Sequence, residues 1–122
     1  MKDMSQLETL KEEIRQFAED RDWEKFHTPK NLVLALTGEL GELAEIFQWL
    51  DENESLQLSK SLKQDACDEL ADVLIYLIRL FDVLDIDPAE AVLAKIEKNS
   101  QKYPVNLSKG NATKYNRRGN KR

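Results

Sequence analysis

The sequence has few of the residues that shape secreted, β-rich or thiolate-metal proteins. Its single cysteine, Cys67, excludes an internal disulfide and a cysteine-based zinc site, and suits a reducing cytoplasm. Glycine and proline number only four and three, which leaves long stretches without helix breakers. The first residues are charged and contain no apolar signal region, so secretion is not expected. These absences predict a helical, cytoplasmic protein.

Long apolar runs are also absent. The most apolar stretch, residues 70–84, contains Asp72, Arg79 and Asp82, so it is too short and too charged to cross a membrane. A chain of 122 residues, 41% hydrophobic and 34% charged, suits one globular domain. The net charge is −5, but it is unevenly distributed. Residues 109–122 form a basic tail with six cationic side chains and no acidic one, so the rest of the chain has a net charge of −11. An acidic body argues against nucleic acid as a partner but attracts divalent cations.

Apolar residues recur at three- and four-residue steps in four segments, which predicts four helices. Ser5, Thr28 and Asp87 are the expected N-caps, the last two followed directly by proline. The predicted helices cover about residues 5–21, 29–51, 60–84 and 88–102. The segments between them, and everything after about residue 103, are expected to be irregular. No strand-like alternation occurs, so the predicted fold is an all-α, four-helix bundle-like subunit spanning residues 1–108, with a tail at 109–122 that is partly ordered at most.

Two pairs of acids, each three residues apart, are the main functional signal. Glu39 and Glu42 lie on the second predicted helix, and Glu69 and Asp72 on the third. Helical spacing puts Glu39 among leucines, where an unpaired carboxylate is costly. Two antiparallel helices can converge four such carboxylates around a cation, and oxygen-only ligands favour Mg²⁺ or Mn²⁺. The alternative is an ordinary solvated charge stripe on each helix.

Carboxylate-bound magnesium commonly leaves coordination positions open to substrate phosphates. Phosphate contacts are then expected from Lys95, Asn99 and Lys102, which share one face of the last predicted helix. Each has a plainer interpretation as a solvated helix charge. Trp49 is predicted at the edge of the apolar stripe beside Glu42, where it suits a flat heterocycle. Two further residues each have two interpretations. His27 is either a capping residue or a base-contacting residue, and Tyr76 is either a core residue or a sugar-contacting residue.

These segments resemble the MazG-type nucleoside triphosphate pyrophosphohydrolases, in particular their dCTP pyrophosphatase branch. The resemblance rests on GELGELAEIFQW (38–49) and DELADVLIYL (68–77), and extends through residues 17–36, 95–104 and 108–115. It implies an all-α subunit that assembles into a homodimer or a dimer-of-dimers tetramer. It also implies Mg²⁺-dependent hydrolysis of a nucleoside triphosphate, such as dCTP or a related dNTP, to the monophosphate and pyrophosphate, a nucleotide-pool cleaning role.

The resemblance also implies roles for particular residues. The metal-binding and catalytic set would be Glu39, Glu42, Glu69 and Asp72. The substrate contacts would be Trp23 and Trp49 to the base, Tyr76 to the sugar, and Lys95, Asn99 and Tyr103 to the phosphates, with Lys109, Lys114 and Tyr115 as helpers. Gly38 stands where the family motif has its first glutamate, as is usual in the dCTP branch. Two positions depart from that branch: Ile14 and Ser100 replace a histidine and a basic residue. These two departures leave the preferred base open.

Two rival interpretations remain. A non-enzymatic helical interaction protein would use the acid pairs as a solvated groove and the basic tail to hold a partner. Among enzymes, the nearest alternative is a dUTP-hydrolysing all-α relative. The number of metal ions, and whether Glu42 or Glu45 orients the attacking water, are also open at this stage.

Overall fold

The computed structural model describes residues 4–118, and the regular structure within that range is entirely helical. The α-helices are α1 (Gln6–Asp20), α2 (Pro29–Phe47), α3 (Glu52–Leu56), α4 (Lys60–Val83), α5 (Pro88–Lys102), α6 (Val105–Ser108) and α7 (Tyr115–Arg118), with a 3-10 turn at Glu24–Phe26. The predicted all-α class is therefore confirmed. The four predicted helices correspond to α1, α2, α4 and α5, whereas α3, α6 and α7 were not predicted. The division at residue 108 stays a prediction, and the end of the predicted tail, residues 119–122, lies outside the described residues.

Side-chain caps begin three of the four long helices where the sequence predicts them. Ser5, Thr28 and Asp87 each accept a hydrogen bond from the backbone N–H three residues further on, at 3.0 to 3.2 Å. An N-cap oxygen satisfies one of the otherwise unpaired N–H groups of the first turn. Because this interaction is local, the sequence alone was enough to find the starts of these helices.

The predicted extent of the second helix is wrong, because α2 ends at Phe47 rather than near residue 51. Asp51 and Glu54 form a reciprocal capping box in which each side chain accepts the backbone N–H of the other. That box starts a separate short helix, α3, inside a segment predicted to be irregular. The chain therefore leaves α2 four residues early, and Trp49 lies between the two helices.

The chain forms two compact units, Met1–Ile86 and Asp87–Arg122. In the first unit, α2 packs along α4, and α1 also packs on α4. The most buried apolar side chains of this unit are Ala18, Leu32, Ala66 and Ile78. Several large apolar side chains of α2 and α4 are nevertheless exposed, among them Val33, Leu34, Leu40, Leu70 and Leu74.

Helices α1 and α4 both end in a left-handed residue. Asp22 has φ 54° and Asp85 has φ 55°. The next residue in each case donates its N–H to a carbonyl of the last helical turn, Trp23 to Ala18 at 2.9 Å and Ile86 to Phe81 at 2.9 Å. Aspartate is one of the few non-glycine residues that tolerates this conformation. This ending of α1 sets the direction of the loop that carries Trp23.

The second unit contains α5, α6 and α7. The rings of Tyr103 and Tyr115 pack edge to face with centroids 5.8 Å apart, and Lys102 Nζ lies 5.0 Å from the Tyr115 ring centroid. These contacts order part of the segment predicted to be irregular. Across residues 4–118, every helix falls short of the length and apolar character that a membrane span requires.

Candidate active site

Three acidic side chains from two helices converge in the first unit. Glu39 comes from the middle of α2, and Glu69 and Asp72 lie one turn apart on α4. One carboxylate oxygen of each lies within 4.8 Å of the other two. Residues three apart share a helix face, and the packing of α2 along α4 brings Glu39 to that face. Three of the four predicted metal ligands therefore meet at one point, which we call the acidic cluster.

The acidic cluster contains unsatisfied oxygens. Glu39 Oε2 and Glu69 Oε2 are buried and have no hydrogen-bond partner within residues 4–118. Partial burial, together with hydrogen bonding and repulsion from Glu39 and Glu42, raises the pKa of Glu69 to about 7. Burial likewise raises the pKa of Glu39, with repulsion from Glu42 and Asp72 adding to it. At neutral pH the acidic cluster without a cation is therefore partly protonated, and a bound cation would displace the proton.

The donor set fits a hard divalent cation. An unpaired buried carboxylate oxygen is costly, and a cation is the partner that satisfies several such oxygens at once. The three converging donors are all oxygens, which suits Mg²⁺, Mn²⁺ or Ca²⁺ better than zinc or copper. We conclude that the acidic cluster is a candidate site for one of these ions.

Glu42, the fourth predicted ligand, lies beside this cluster on α2. Its carboxylate is not among the three that converge, although it raises the pKa of both Glu39 and Glu69. Glu42 and Glu45 instead line an open groove of about 440 Å³ whose other acidic residues are Asp65, Asp68 and Glu69. Both residues proposed to orient the attacking water therefore lie along the same groove.

A cavity of about 430 Å³ adjoins the acidic cluster and shares Asp72 with it. Its lining includes three of the predicted nucleotide contacts, Trp23, His27 and Tyr76. Phe17 forms another part of the wall and packs edge to face against Trp23, with ring centroids 5.8 Å apart. Aromatic walls with a few polar groups are typical of sites that bind flat heterocycles. The cavity thus places an aromatic binding surface next to a candidate metal site.

Trp49 is the predicted base contact that the structure places elsewhere. It follows the end of α2, is 85% exposed, and is absent from the cavity lining. Trp49 follows Gln48, the C-cap of α2, so the helix on which it was predicted ends before it, and its position beside Glu42 stays a prediction. A contact between Trp49 and a substrate stays a prediction.

A row of hydrogen-bonded polar side chains leads away from the cavity wall, where His27 and Arg79 lie, and we call it the Arg79 chain: Arg15, Asp82, Arg79 and His27. Arg15 donates to both carboxylate oxygens of Asp82, from Nε to Oδ2 at 2.9 Å. Arg79 donates from NH1 to Asp82 Oδ2 at 3.2 Å and from Nε to His27 Nδ1 at 3.0 Å. No functional role was predicted for Arg79 or Asp82. The available signal was a pair of opposite charges three residues apart inside the most apolar run of the chain.

The predicted phosphate contacts belong to the second unit. Lys95 and Asn99 lie one turn apart on α5, Tyr103 ends that helix, and Lys114 precedes α7. Tyr103 and Lys102 both contact Tyr115, one of the predicted helpers. Their contact with phosphate stays a prediction.

An all-α unit with converging carboxylates next to an aromatic cavity is typical of a metal-dependent enzyme that acts on phosphorylated substrates. The family comparison identifies the class more closely: the chain belongs to the MazG-like family, whose model matches residues 35–117. The predicted family resemblance is therefore confirmed.

Individual relatives agree with this assignment. The mouse protein named dCTP pyrophosphatase 1 is 48% identical over 111 residues, 89% of this chain, and the human protein of that name is 44% identical over the same length. The chain spans 65% of the length of these two relatives. A crystal structure of a pyrophosphatase from Archaeoglobus fulgidus superposes with a TM-score of 0.79 at 44% identity, covering 85% of this chain and 97% of that one.

Proposed function

We propose that this protein hydrolyses a nucleoside triphosphate, dCTP or a related deoxynucleotide, to the monophosphate and pyrophosphate with Mg²⁺. The observation that carries the proposal is the acidic cluster of Glu39, Glu69 and Asp72 sharing a wall with the aromatic cavity. The names of the relatives support both the reaction and the base, since the mammalian proteins are dCTP pyrophosphatases and the archaeal one is a pyrophosphatase.

The proposed roles of the residues are based on their positions. Glu39, Glu69 and Asp72 would hold the cation, with Glu42 next to them as a fourth carboxylate. Mg²⁺ bound there supplies positive charge for the phosphates and activation for the attacking water. Mn²⁺ is the expected substitute, because it accepts the same oxygen donors.

The cavity would hold the nucleoside. Trp23 offers an aromatic face to the base and Tyr76 a hydroxyl to the sugar, while Asp72 belongs to both the cavity and the acidic cluster. A nucleoside bound in the cavity would therefore extend its triphosphate toward the cation. One water is consumed across the α–β bridge, and the nucleoside monophosphate and pyrophosphate leave.

The assembly that we propose is a homodimer or a dimer of dimers. The exposed leucines of α2 and α4 support it, since Leu34 is 61% exposed and Leu70 is 54% exposed on the helices that carry the acidic cluster. Light scattering after gel filtration should give two or four times the 14.1 kDa of one chain. A single-chain mass would contradict the proposal. Because nucleoside triphosphates are intracellular metabolites and the one cysteine suits a reducing compartment, we place the activity in the cytoplasm.

The test of the reaction is pyrophosphate release from a panel of ribo- and deoxyribonucleoside triphosphates, with Mg²⁺ and with EDTA. We expect Mg²⁺-dependent release that is greatest for one or a few deoxynucleotides. Glu39→Gln should abolish it with the fold retained, and Glu52→Gln, on the separate helix α3, is the matched control that should retain it. Release that persists in EDTA or in Glu39→Gln would overturn the proposed metal site, and no release from any nucleotide would overturn the proposed function.

A further inference from the structure

The backbone of His27 is held on both sides. Its N–H donates to the Glu24 carbonyl at 3.1 Å, which closes the 3-10 turn. The next residue, Thr28, caps α2 by accepting from the Asn31 N–H at 3.2 Å. With the backbone fixed, the remaining freedom of His27 is rotation of its ring and the choice of the nitrogen that carries the proton.

Arg79 determines that choice. Its Nε donates to His27 Nδ1 at 3.0 Å, and a guanidinium has donors but no acceptor. Nδ1 must therefore be the unprotonated nitrogen, which places the proton of the neutral ring on Nε2. Burial and the positive charge of Arg79 also lower the pKa of His27, in agreement with a neutral ring.

Arg79 is itself held in place. It is 6% exposed, and its NH1 donates to Asp82, whose carboxylate is also bound by both donors from Arg15. A buried ion pair is seldom better for stability than apolar side chains of similar size. The presence of an arginine inside the apolar run of α4 therefore indicates a role beyond packing.

The Nε2–H of His27 is available to a ligand. His27 lines the cavity, and no residue in the range 4–118 accepts a hydrogen bond from its Nε2. Its ring packs edge to face on Trp23, with centroids 6.4 Å apart. The charged groups that line the same cavity are Glu13 from α1 and Asp72 and Arg79 from α4.

We propose that Arg79 is a positioning residue that holds His27 as a fixed Nε2–H donor, and that this donor recognises an acceptor atom on the base of the bound nucleotide. The identity of the ligand rests on the proposed function above. A fixed donor favours a base that presents a lone pair and disfavours one that presents an N–H, because the mismatch leaves buried polar groups unpaired.

The tautomer can be tested without any activity, because His27 is the only histidine of the chain. In protein labelled with ¹⁵N in the imidazole, long-range proton–nitrogen spectra should show a protonated Nε2 and an unprotonated Nδ1 at about pH 8. Arg79→Gln should give mixed tautomers, because an amide can both donate to Nδ1 and accept from it. Arg15→Gln is the matched control, since it removes a charge from the far end of the Arg79 chain but leaves the bond to His27. A proton on Nδ1 in the unsubstituted protein would overturn the proposal, whether or not the variants fold.

Recognition is tested by a double-substitution cycle on the preferred triphosphate. His27→Gln keeps an amide N–H near the position of Nε2, whereas His27→Ala removes the donor. We expect His27→Ala to raise KM about tenfold, the loss of one hydrogen bond, with kcat changed less than about twofold. Arg79→Gln should raise KM severalfold but less than His27→Ala, because a ring that is free to rotate and to exchange tautomers presents the Nε2–H only part of the time. His27→Gln should raise KM less than His27→Ala does, and adding Arg79→Gln to His27→Gln should change KM little further.

The outcomes separate the inference from the proposed function. No hydrolysis by the unsubstituted protein refutes the function. Normal hydrolysis with an unchanged KM in His27→Ala refutes recognition by His27. An equal effect of Arg79→Gln in the His27→Gln background would show that Arg79 contacts the nucleotide itself, and would overturn its role as a positioning residue.

Discussion

Metal binding at the acidic cluster should release a measurable fraction of a proton. The pKa of Glu69 is about 7, so the Glu69 carboxyl group is protonated in about half of the molecules at pH 7. A cation binds the ionised form, so adding Mg²⁺ at pH 7 should release about half a proton from Glu69. At about pH 9 the release from Glu69 should fall to about a hundredth of a proton.

The pH dependence of metal affinity follows with a definite sign. Because a raised carboxyl pKa means that protons compete with the cation, affinity should be full above about pH 8 and fall as the pH drops through 7, by up to about tenfold per pH unit for one competing proton. Isothermal titration calorimetry in two buffers of different ionisation enthalpy measures the protons released at each pH. Glu69→Gln should lose most of the release, whereas Glu52→Gln should retain it. Zero release at pH 7, or equal release at pH 7 and pH 9, would refute the coupling between Glu69 and the metal.

Other predictions concern stability and the exposed tryptophan. Asp82→Ala leaves the buried Arg79 without its carboxylate and should lower the free energy of unfolding by about 3 kcal/mol. Arg15→Ala, at a side chain that is 45% exposed, should lower it by about 1 kcal/mol or less. Equal losses for the two variants in urea denaturation would contradict this. The hydrogen bond from Arg15 lowers the pKa of Asp82 in the folded protein below its value of about 3.9 in the unfolded chain. Ionised Asp82 therefore stabilises the fold above about pH 3.9, and this stabilisation is lost as the pH falls through the lower pKa of the folded protein. Asp82→Asn should remove that acid-dependent loss, as measured by denaturation at a series of pH values. Trp49→Ala should change the free energy of unfolding of the single chain by less than about 0.5 kcal/mol, since Trp49 is 85% exposed, and a larger loss would show that the residue is packed.

The sequence was informative where the physics is local. The caps at Ser5, Thr28 and Asp87 involve atoms three residues apart, and all three were predicted. The end of α2 was missed because no glycine or proline marks it, and the capping box of Asp51 that competes with the helix was not recognised.

The candidate site divides in the same way. The pairing of Glu39 with Glu69 could be predicted because two packed helices bring regularly spaced acids together. In the structure, one carboxylate oxygen of Glu39 lies within 4.8 Å of one carboxylate oxygen of Glu69. The bond between Arg79 and His27 joins residues 52 apart and depends on how the loop after α1 returns to α4. Periodicity within one helix contains no information on such a contact, so Arg79 was assigned no role.

The most direct test of the proposed reaction is phosphorus NMR of the preferred nucleotide incubated with the protein and Mg²⁺. We expect equal amounts of nucleoside monophosphate and pyrophosphate, with no reaction when EDTA replaces Mg²⁺. Orthophosphate and a nucleoside diphosphate would show cleavage at the other bridge and contradict the proposed chemistry. An unchanged triphosphate spectrum would contradict the enzymatic role altogether.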